Sequence, residues 1–339
     1  MRFACDPIKN WFGENINLRK SYAAIVNLLP TIMLSSVFSD EKWQQAMLVS
    51  ISTFIVQDRL KTSPVMVIVH SVMISVCFFA FINLADHALL FSLICSSTAA
   101  LTLRLAGWGN NLRVAGSFTF IPALYLAFEF NKNLPENFSY TCTLSLLHYI
   151  WVATLPTLVL SLLHQWRAFL RSRSLFYHHK NPKLGAKLEY KSPLIACAIA
   201  VFLCSMIVES EHILQGQWLI WSAVSVITGE MKTSHRKYQS RAIGVAAGGL
   251  AGMLIGTVLP HNAFLVETGA IVIVLSLVSF KNYTLEYFIR CTSVAFVVTL
   301  LDEQTSLIFT RAFNVLIGGL LGVLLFKVVE KTCSLRSVY

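Results

Sequence analysis

Apolar segments of about 17 to 22 residues recur along the whole chain, and they constrain its fold more than any other feature of the sequence. At a rise of about 1.5 Å per residue, a helix of that length crosses a hydrocarbon core about 30 Å thick. Hydrophobic residues make up 55% of the chain and charged residues only 13%, which leaves too little polar sequence for a large soluble domain. The pattern predicts an all-α integral membrane protein.

Twelve such segments are predicted to be helices that span the membrane. They cover residues 22–38, 43–57, 64–84, 87–105, 112–130, 144–164, 192–208, 216–230, 240–259, 263–280, 284–301 and 307–327. The second and eighth segments are short. Three interpretations stay open for them: they tilt little, they are partly shielded by neighbouring helices, or they do not cross completely. Residues 1–20 are expected to form a cytoplasmic or interfacial leader, and residues 331–339 a cytoplasmic tail.

Lysine and arginine fall almost entirely on alternate connections between these segments. They are Arg19 and Lys20; Arg59 and Lys61; Arg104 and Arg113; the basic residues between 167 and 191; Lys232, Arg236, Lys237 and Arg241; Lys281; and Lys327, Lys331 and Arg336. Because such residues concentrate on the cytoplasmic side of membrane proteins, both termini are predicted to be cytoplasmic. The net charge of +10 is then an orientation signal, and nucleic acid is not expected as a partner.

An internal duplication is indicated by the Lys-Thr-Ser triplet at residues 61–63, which recurs 171 residues later at residues 232–234. The same shift places the first, third, fourth and fifth segments on the seventh, ninth, tenth and eleventh. We therefore predict two parallel six-helix repeats, at residues 21–164 and 192–330, joined by a basic cytoplasmic loop at residues 165–191. An even number of spans per repeat implies a pseudo-two-fold axis along the membrane normal, and transport sites commonly form where such repeats meet.

The ninth segment has glycine at every fourth position. These residues are Gly244, Gly248, Gly252 and Gly256, and the last segment carries Gly318 and Gly322. In lipid, small residues at this spacing let helix backbones approach closely and gain dispersion contacts. We expect the last segment to offer a matching smooth surface to the ninth. Two interpretations stay open: the glycines pack helices, or a close sliding contact lines a substrate path and permits rocking between states.

Arg241 stands at the cytoplasmic end of the glycine face, three residues before Gly244. With Lys232, Arg236 and Lys237 it would form a positive mouth suited to small anions, since a guanidinium can hold a carboxylate through two parallel hydrogen bonds. The alternative is that Arg241 extends to lipid phosphate.

Arg290 and Arg311 fall inside predicted spans, where a lone charge is costly and should have a partner. Glu286 lies four residues before Arg290, so the two are expected to form a buried charge pair. Asn314 lies one turn after Arg311 on the same predicted helix. Glu267 belongs to a segment that enters the membrane from the same side, and it is the suggested partner of Arg311.

The second half of the chain resembles the fusaric acid resistance and aromatic acid exporter family. The resemblance rests on Trp218, a short basic connection, Arg241, Gly244 and Gly248, and on the closing segment TRAFNVLIGGLLG. It implies efflux of small, often aromatic, carboxylic acids across a bacterial inner membrane, often beside a periplasmic adaptor (membrane fusion) protein. Larger members carry soluble regions, so this chain resembles a compact membrane-only relative, and a homodimer is plausible by analogy.

These features together predict an exporter of small organic anions. Arg241 would capture the anion, Arg311 would be an internal counter-charge, and Trp218, Asn314 and Arg236 would lie along the path. A passive organic-anion channel and a non-transporting membrane scaffold are the alternatives. No cofactor or metal is expected, and no enzyme is predicted, because the sequence has no nucleotide loop, zinc motif or nucleophile elbow of useful specificity.

Overall fold

The computed structural model describes residues 11, 13–61, 63–132, 140–172, 183–301 and 305–336. Apart from a few helical residues between 11 and 15 and a short 3₁₀ turn at Leu105–Gly107, these residues form twelve α-helices. The helices are α1 (Leu18–Phe38), α2 (Glu41–Leu60), α3 (Pro64–Asn83), α4 (Ala88–Arg104), α5 (Asn110–Asn131), α6 (Tyr140–Ser172), α7 (Lys191–Ser210), α8 (Gln217–Val226), α9 (Met231–Val258), α10 (Ala263–Ser279), α11 (Tyr283–Leu300) and α12 (Ser306–Arg336).

Seven of these helices are long and apolar enough to cross a membrane: α1, α3, α4 with its 3₁₀ extension, α6, α7, α9 and α12. The chain is therefore an all-α, multi-pass membrane protein, as its hydropathy predicts. Each of the twelve predicted segments coincides with one helix. Helix α10, with 17 residues, is shorter than each of the seven long apolar helices, and α8 has only ten residues. The number of complete crossings stays a prediction.

The helices divide into two compact units. The smaller unit combines the residues before Asn27 with Arg236–Leu316, and the larger unit combines Asn27–His235 with the residues after Leu316. In the larger unit α3 packs on α5 and α6, and α4 packs along α7. Fully buried phenylalanines fill the contact between α3 and α5, where the ring centroids of Phe81 and Phe120 are 5.6 Å apart.

A buried polar group joins three helices of the larger unit. Asn27 of α1 donates from Nδ2 to the carbonyl of Ser50 in α2 at 3.0 Å, and its Oδ1 accepts from the Thr157 hydroxyl of α6 at 2.9 Å. Hydrogen bonds between membrane helices contribute modestly, about 0.6 kcal/mol each on average, but they fix the register of the helices that they join.

Three predicted boundaries differ from the structure. Helix α9 begins at Met231 and not near residue 240, because Met, Lys, Arg and Gln at its start all favour a helix. The basic connection before the glycine face is therefore its first turns. Helix α6 likewise continues to Ser172, into the predicted 165–191 loop. Helix α8 ends at Val226, and residues 227–230 are not helical although the eighth segment was predicted to reach residue 230.

Candidate functional site

The glycine face of α9 lies directly against α11. A Cβ atom added to Gly252 would lie 2.2 Å from the Thr292 carbonyl oxygen, and one added to Gly248 would lie 2.6 Å from the Phe288 carbonyl oxygen. Gly244 and Gly256 meet Tyr287 and Thr299 at similarly short distances. Glycine is therefore required at this spacing because the two backbones approach too closely for any side chain.

The glycines of α12 face a different helix. A Cβ atom on Gly318 would lie 2.1 Å from the Leu219 carbonyl oxygen of α8, and one on Gly322 would lie 2.9 Å from the Ala223 carbonyl oxygen. The expectation that the α9 and α12 glycines form matching surfaces is wrong, since each set is covered by another helix. The spacing of glycines marks a close approach without identifying the partner.

Cations and tyrosines converge where the starts of α9 and α11 meet. We define the basic–aromatic cluster as Lys237 and Arg241 of α9 with Tyr283, Glu286, Tyr287 and Arg290 of α11. Arg241 is buried, with 5% of its surface exposed; its Nε donates to the Tyr283 hydroxyl at 2.9 Å, and its guanidinium carbon lies 4.9 Å from the Tyr287 ring centroid. Arg241 thus packs inside the protein and is not an exposed residue of a positive mouth.

The other cations of the cluster surround the same tyrosines. Lys237 Nζ lies 5.5 Å from the Tyr283 ring centroid, and the Arg290 guanidinium carbon lies 5.6 Å from the Tyr287 ring centroid. Arg290 pairs with Glu286 and donates from Nε to the Ser276 hydroxyl of α10 at 2.9 Å. Three positive charges and one negative charge therefore share a buried, aromatic-lined region of the smaller unit.

The remaining predicted site residues are more dispersed. Arg236 is exposed, Arg311 is half-buried and acts electrostatically on Tyr287 and Cys291, and Asn314 is 2% exposed. The ion pairs formed between described residues do not include the suggested pair of Arg311 with Glu267. These residues belong to the smaller unit.

Trp218 belongs to the larger unit and lies at the start of α8. Its indole Nε1 donates to Gln215 Oε1 at 2.8 Å, and its ring stacks on Trp221 with centroids 4.8 Å apart. Trp218 is half-buried among polar and aromatic side chains. This environment suits an aromatic contact with a ring-bearing molecule.

Helix α8 breaks inside the protein. Ile227 and Thr228 follow it in non-helical conformation and are buried. The Thr228 backbone N–H is satisfied by the Ser234 hydroxyl of α9, 3.0 Å away. Broken helices of this kind are tolerated at membrane depth only where protein covers the backbone, and in transporters they often border substrate sites.

Sequence reasoning placed Lys237 near Arg241 but missed Tyr283, Tyr287 and the break after α8. A signal for the tyrosines is present, because residues 283, 287 and 290 recur at helical spacing on one face of α11. Within the described residues, no group of three histidine, cysteine, aspartate or glutamate side chains could hold a metal ion. The chemistry that the cluster offers is electrostatic and aromatic recognition.

Comparison with known proteins shows one similarity, which lies in the second half of the chain. Residues 197–325 match the family model described as fusaric acid resistance protein-like, and the match includes Trp218, the glycine face of α9 and the whole basic–aromatic cluster. No curated protein and no solved structure matches the chain. The family match indicates a membrane transporter, with the lipid bilayer and a small molecule as its partners. Residues 197–325 are therefore similar to the fusaric acid resistance protein-like family, and this match supports the resemblance drawn from the sequence.

Proposed function

We propose that the protein exports small organic, chiefly aromatic, carboxylate anions across a bacterial inner membrane. The observation that carries this proposal is the basic–aromatic cluster, in which the buried Arg241 contacts the Tyr283 hydroxyl and the Tyr287 ring. The family match supports transport of a small molecule, and the cluster supports the chemical class of that molecule.

The charges of the cluster favour an anion. Within the cluster, Lys237, Arg241 and Arg290 stand beside the single carboxylate of Glu286, and Arg241 and Arg290 are buried. Burying cations is costly, and a carboxylate that enters such a region offsets the cost through charge-assisted hydrogen bonds. The faces and edges of Tyr283 and Tyr287 offer stacking contacts to an aromatic ring on the same molecule.

The remaining features are assigned roles around this centre. Arg236 is a first contact for anions outside the cluster, Arg311 is the counter-charge beyond it, and Asn314 is a further substrate contact in the same unit. Trp218 is a separate proposed substrate contact in the larger unit. Six-helix repeats with cytoplasmic termini would place the Arg241 end of α9 at the cytoplasmic side. A periplasmic adaptor protein and a homodimer complete the proposed export system.

A passive anion channel is the closest alternative, since the same cluster would favour anions in either mechanism. The scaffold alternative has less support. It relied on glycine faces free to bind other subunits, and these faces are covered by α11 and α8 of the same chain.

Flux of labelled benzoate from liposomes that contain the purified protein tests the proposal. The Arg241→Gln variant should lose protein-dependent flux, whereas Lys232→Gln should keep it, because Lys232 is an exposed residue of the same helix and its loss removes the same charge. Empty liposomes correct for leakage of neutral benzoic acid. Equal flux through wild type, Arg241→Gln and empty liposomes would contradict the proposal.

The same liposomes separate an exporter from a channel. An exporter driven by a proton gradient moves benzoate against its electrochemical gradient, and a channel only dissipates that gradient. Accumulation beyond equilibrium is the expected result for the proposed function.

A further inference from the structure

One short segment precedes the first helix of each predicted repeat. We define the first strap as residues 13–17, before α1, and the second strap as residues 183–188, before α7. Each strap binds the connection that leads into a helix far away in sequence, α11 for the first strap and α5 for the second. The contacts of each strap lie within one unit of the structure.

The first strap is joined to residues 279–281 of the smaller unit. The Lys281 N–H donates to the Asn15 carbonyl at 2.9 Å, and the Asn17 N–H donates to the Ser279 carbonyl at 2.8 Å. These bonds flank an isolated antiparallel bridge between residues 16 and 280. Lys281 Nζ also donates to the Gly13 carbonyl at 2.7 Å. The segment thus holds the residues immediately before the first turn of α11.

The second strap makes corresponding contacts in the larger unit. The Asn110 N–H donates to the Ala186 carbonyl and the Asn111 N–H to the Leu184 carbonyl, both at 2.9 Å. A Cβ atom on Gly109 would lie 2.1 Å from the Leu184 carbonyl oxygen, so the strap lies directly on this turn. The strap accepts hydrogen bonds from N–H groups at the start of α5, and N–H groups at a helix start have no acceptor within their own helix.

The shift of 171 residues relates the two sets of contacts. It takes Asn15 to Ala186 and Asn110 to Lys281, so the same backbone hydrogen bond occurs at equivalent positions in both halves. Each strap, however, precedes the first helix of one predicted repeat and binds a connection within the other repeat. The helices that follow behave alike, because α7 packs along α4 and Ser21 of α1 bonds Ser279 at the end of α10 at 2.9 Å. The predicted repeats therefore exchange their first segments.

We propose that the first strap is a latch on access to the basic–aromatic cluster. Tyr283, whose hydroxyl accepts from Arg241, lies two residues after Lys281, so release of the strap frees the helix start that positions this tyrosine. The Lys281 side-chain bond is exposed and so is Gly13, as expected for a region that opens locally at low cost. The identity of the ligand that the latch admits rests on the proposed function, whereas the opening of the latch does not.

Reversible cross-linking of the strap tests the latch. Residues 16 and 280 form a non-hydrogen-bonded antiparallel pair, for which Cα atoms are about 4.5 Å apart, within the range that a disulfide spans. The Ile16→Cys/Phe280→Cys variant would be made with Cys5 and Cys142 replaced by Ser. Amide hydrogen exchange at Tyr283–Tyr287 is then measured in the oxidised and reduced protein, together with benzoate flux.

A latch that opens predicts slower exchange at Tyr283–Tyr287 on oxidation and recovery on reduction. Benzoate flux should fall in proportion to the cross-linked fraction. A contact that never opens predicts the same exchange in both states, and this result would overturn the latch whatever the flux. Slower exchange without benzoate flux in either state would support the latch and count against the proposed substrate.

Cross-linking the second strap is the matched control. The Asn110→Cys/Ala186→Cys variant closes a contact of the second strap in the larger unit, at the positions that the shift relates to Lys281 and Asn15. Its oxidation should leave exchange at Tyr283–Tyr287 unchanged, since this strap does not bind the start of α11. Equal slowing of exchange in both variants would contradict a local latch at the first strap.

Discussion

Arg290 shows what a charged residue requires inside a membrane helix. Its side chain is 8% exposed, and Glu286, Ser276 and the Tyr287 ring surround it. The i, i+4 spacing of Glu286 and Arg290 made this pair predictable, because both residues project from one face of any helix that contains them. The tyrosine and serine contacts were not predictable in this way, since they depend on how α10 and α11 pack.

Replacement of Glu286 by glutamine should destabilise the protein strongly. Loss of one partner of a buried pair costs roughly 3–5 kcal/mol, because the other charge is left uncompensated. The Glu286→Gln/Arg290→Met double variant should recover much of the lost stability by removing that charge. Thermal unfolding in detergent measures both effects.

An exposed ion pair provides the control. Lys61 and Asp58 pair at the end of α2 with side chains 51% and 23% exposed. Asp58→Asn should therefore change stability by less than about 1 kcal/mol. If Asp58→Asn and Glu286→Gln lowered the unfolding temperature equally, burial would not explain the importance of the Glu286–Arg290 pair.

Helix α9 contains its own test of close packing. A Cβ atom on Gly252 would meet the Thr292 carbonyl oxygen, whereas nothing lies within 4 Å of one on Gly249. Gly252→Ala should destabilise the protein by about 1–3 kcal/mol because α9 and α11 must separate. Gly249→Ala should be neutral or stabilising by up to about 1 kcal/mol, since alanine is the better helix former. Thermal unfolding of the two variants gives the comparison, and an equal loss of stability would contradict the α9–α11 contact.

The break after α8 depends on Ser234. Because its hydroxyl is the acceptor for the buried Thr228 N–H, Ser234→Ala should cost about 1–3 kcal/mol, the usual penalty for an unpaired buried donor. Ser63 occupies the equivalent position in the first half and makes no side-chain cap bond, so Ser63→Ala should have little effect. Similar unfolding temperatures for the two variants would show that Ser234 does not support the break.

At the level of elements, sequence patterns predicted faces and lengths better than partners. The four-residue spacing of glycine in α9 marked the face that packs closely, but the spacing is the same whichever helix covers it. Proline explains one successful boundary, because Pro64 lies in the first turn of α3, where its missing N–H costs no intrahelical hydrogen bond. No such residue precedes α9, and its helix extends to Met231 through the basic residues.

For the whole molecule, hydropathy located all twelve helices but not their grouping. The compact units divide within α1, α9 and α12, whereas the predicted repeats divide between α6 and α7. The difference follows from the exchanged first segments, since α7 packs on α4 and the residues before Asn27 join the smaller unit. The sequence alone predicts a duplication. The proposed exchange of first segments between the two repeats was not predictable, because it depends on contacts between residues far apart in sequence.

Whether α8 crosses the membrane completely decides whether the second repeat has an even or an odd number of spans. The ten helical residues of α8 span about 15 Å at about 1.5 Å each, so a complete crossing of about 30 Å also needs residues 227–230, of which Ile227 is extended. The predicted even number of spans in this repeat leads us to expect His212 and Lys232 on opposite sides of the membrane. With Cys142 replaced by Ser, a membrane-impermeant maleimide should label His212→Cys in intact cells and Lys232→Cys only after permeabilisation. Labelling of Lys232→Cys in intact cells would mean that α8 returns to the side it entered from, which would leave an odd number of spans and contradict the parallel arrangement of the repeats.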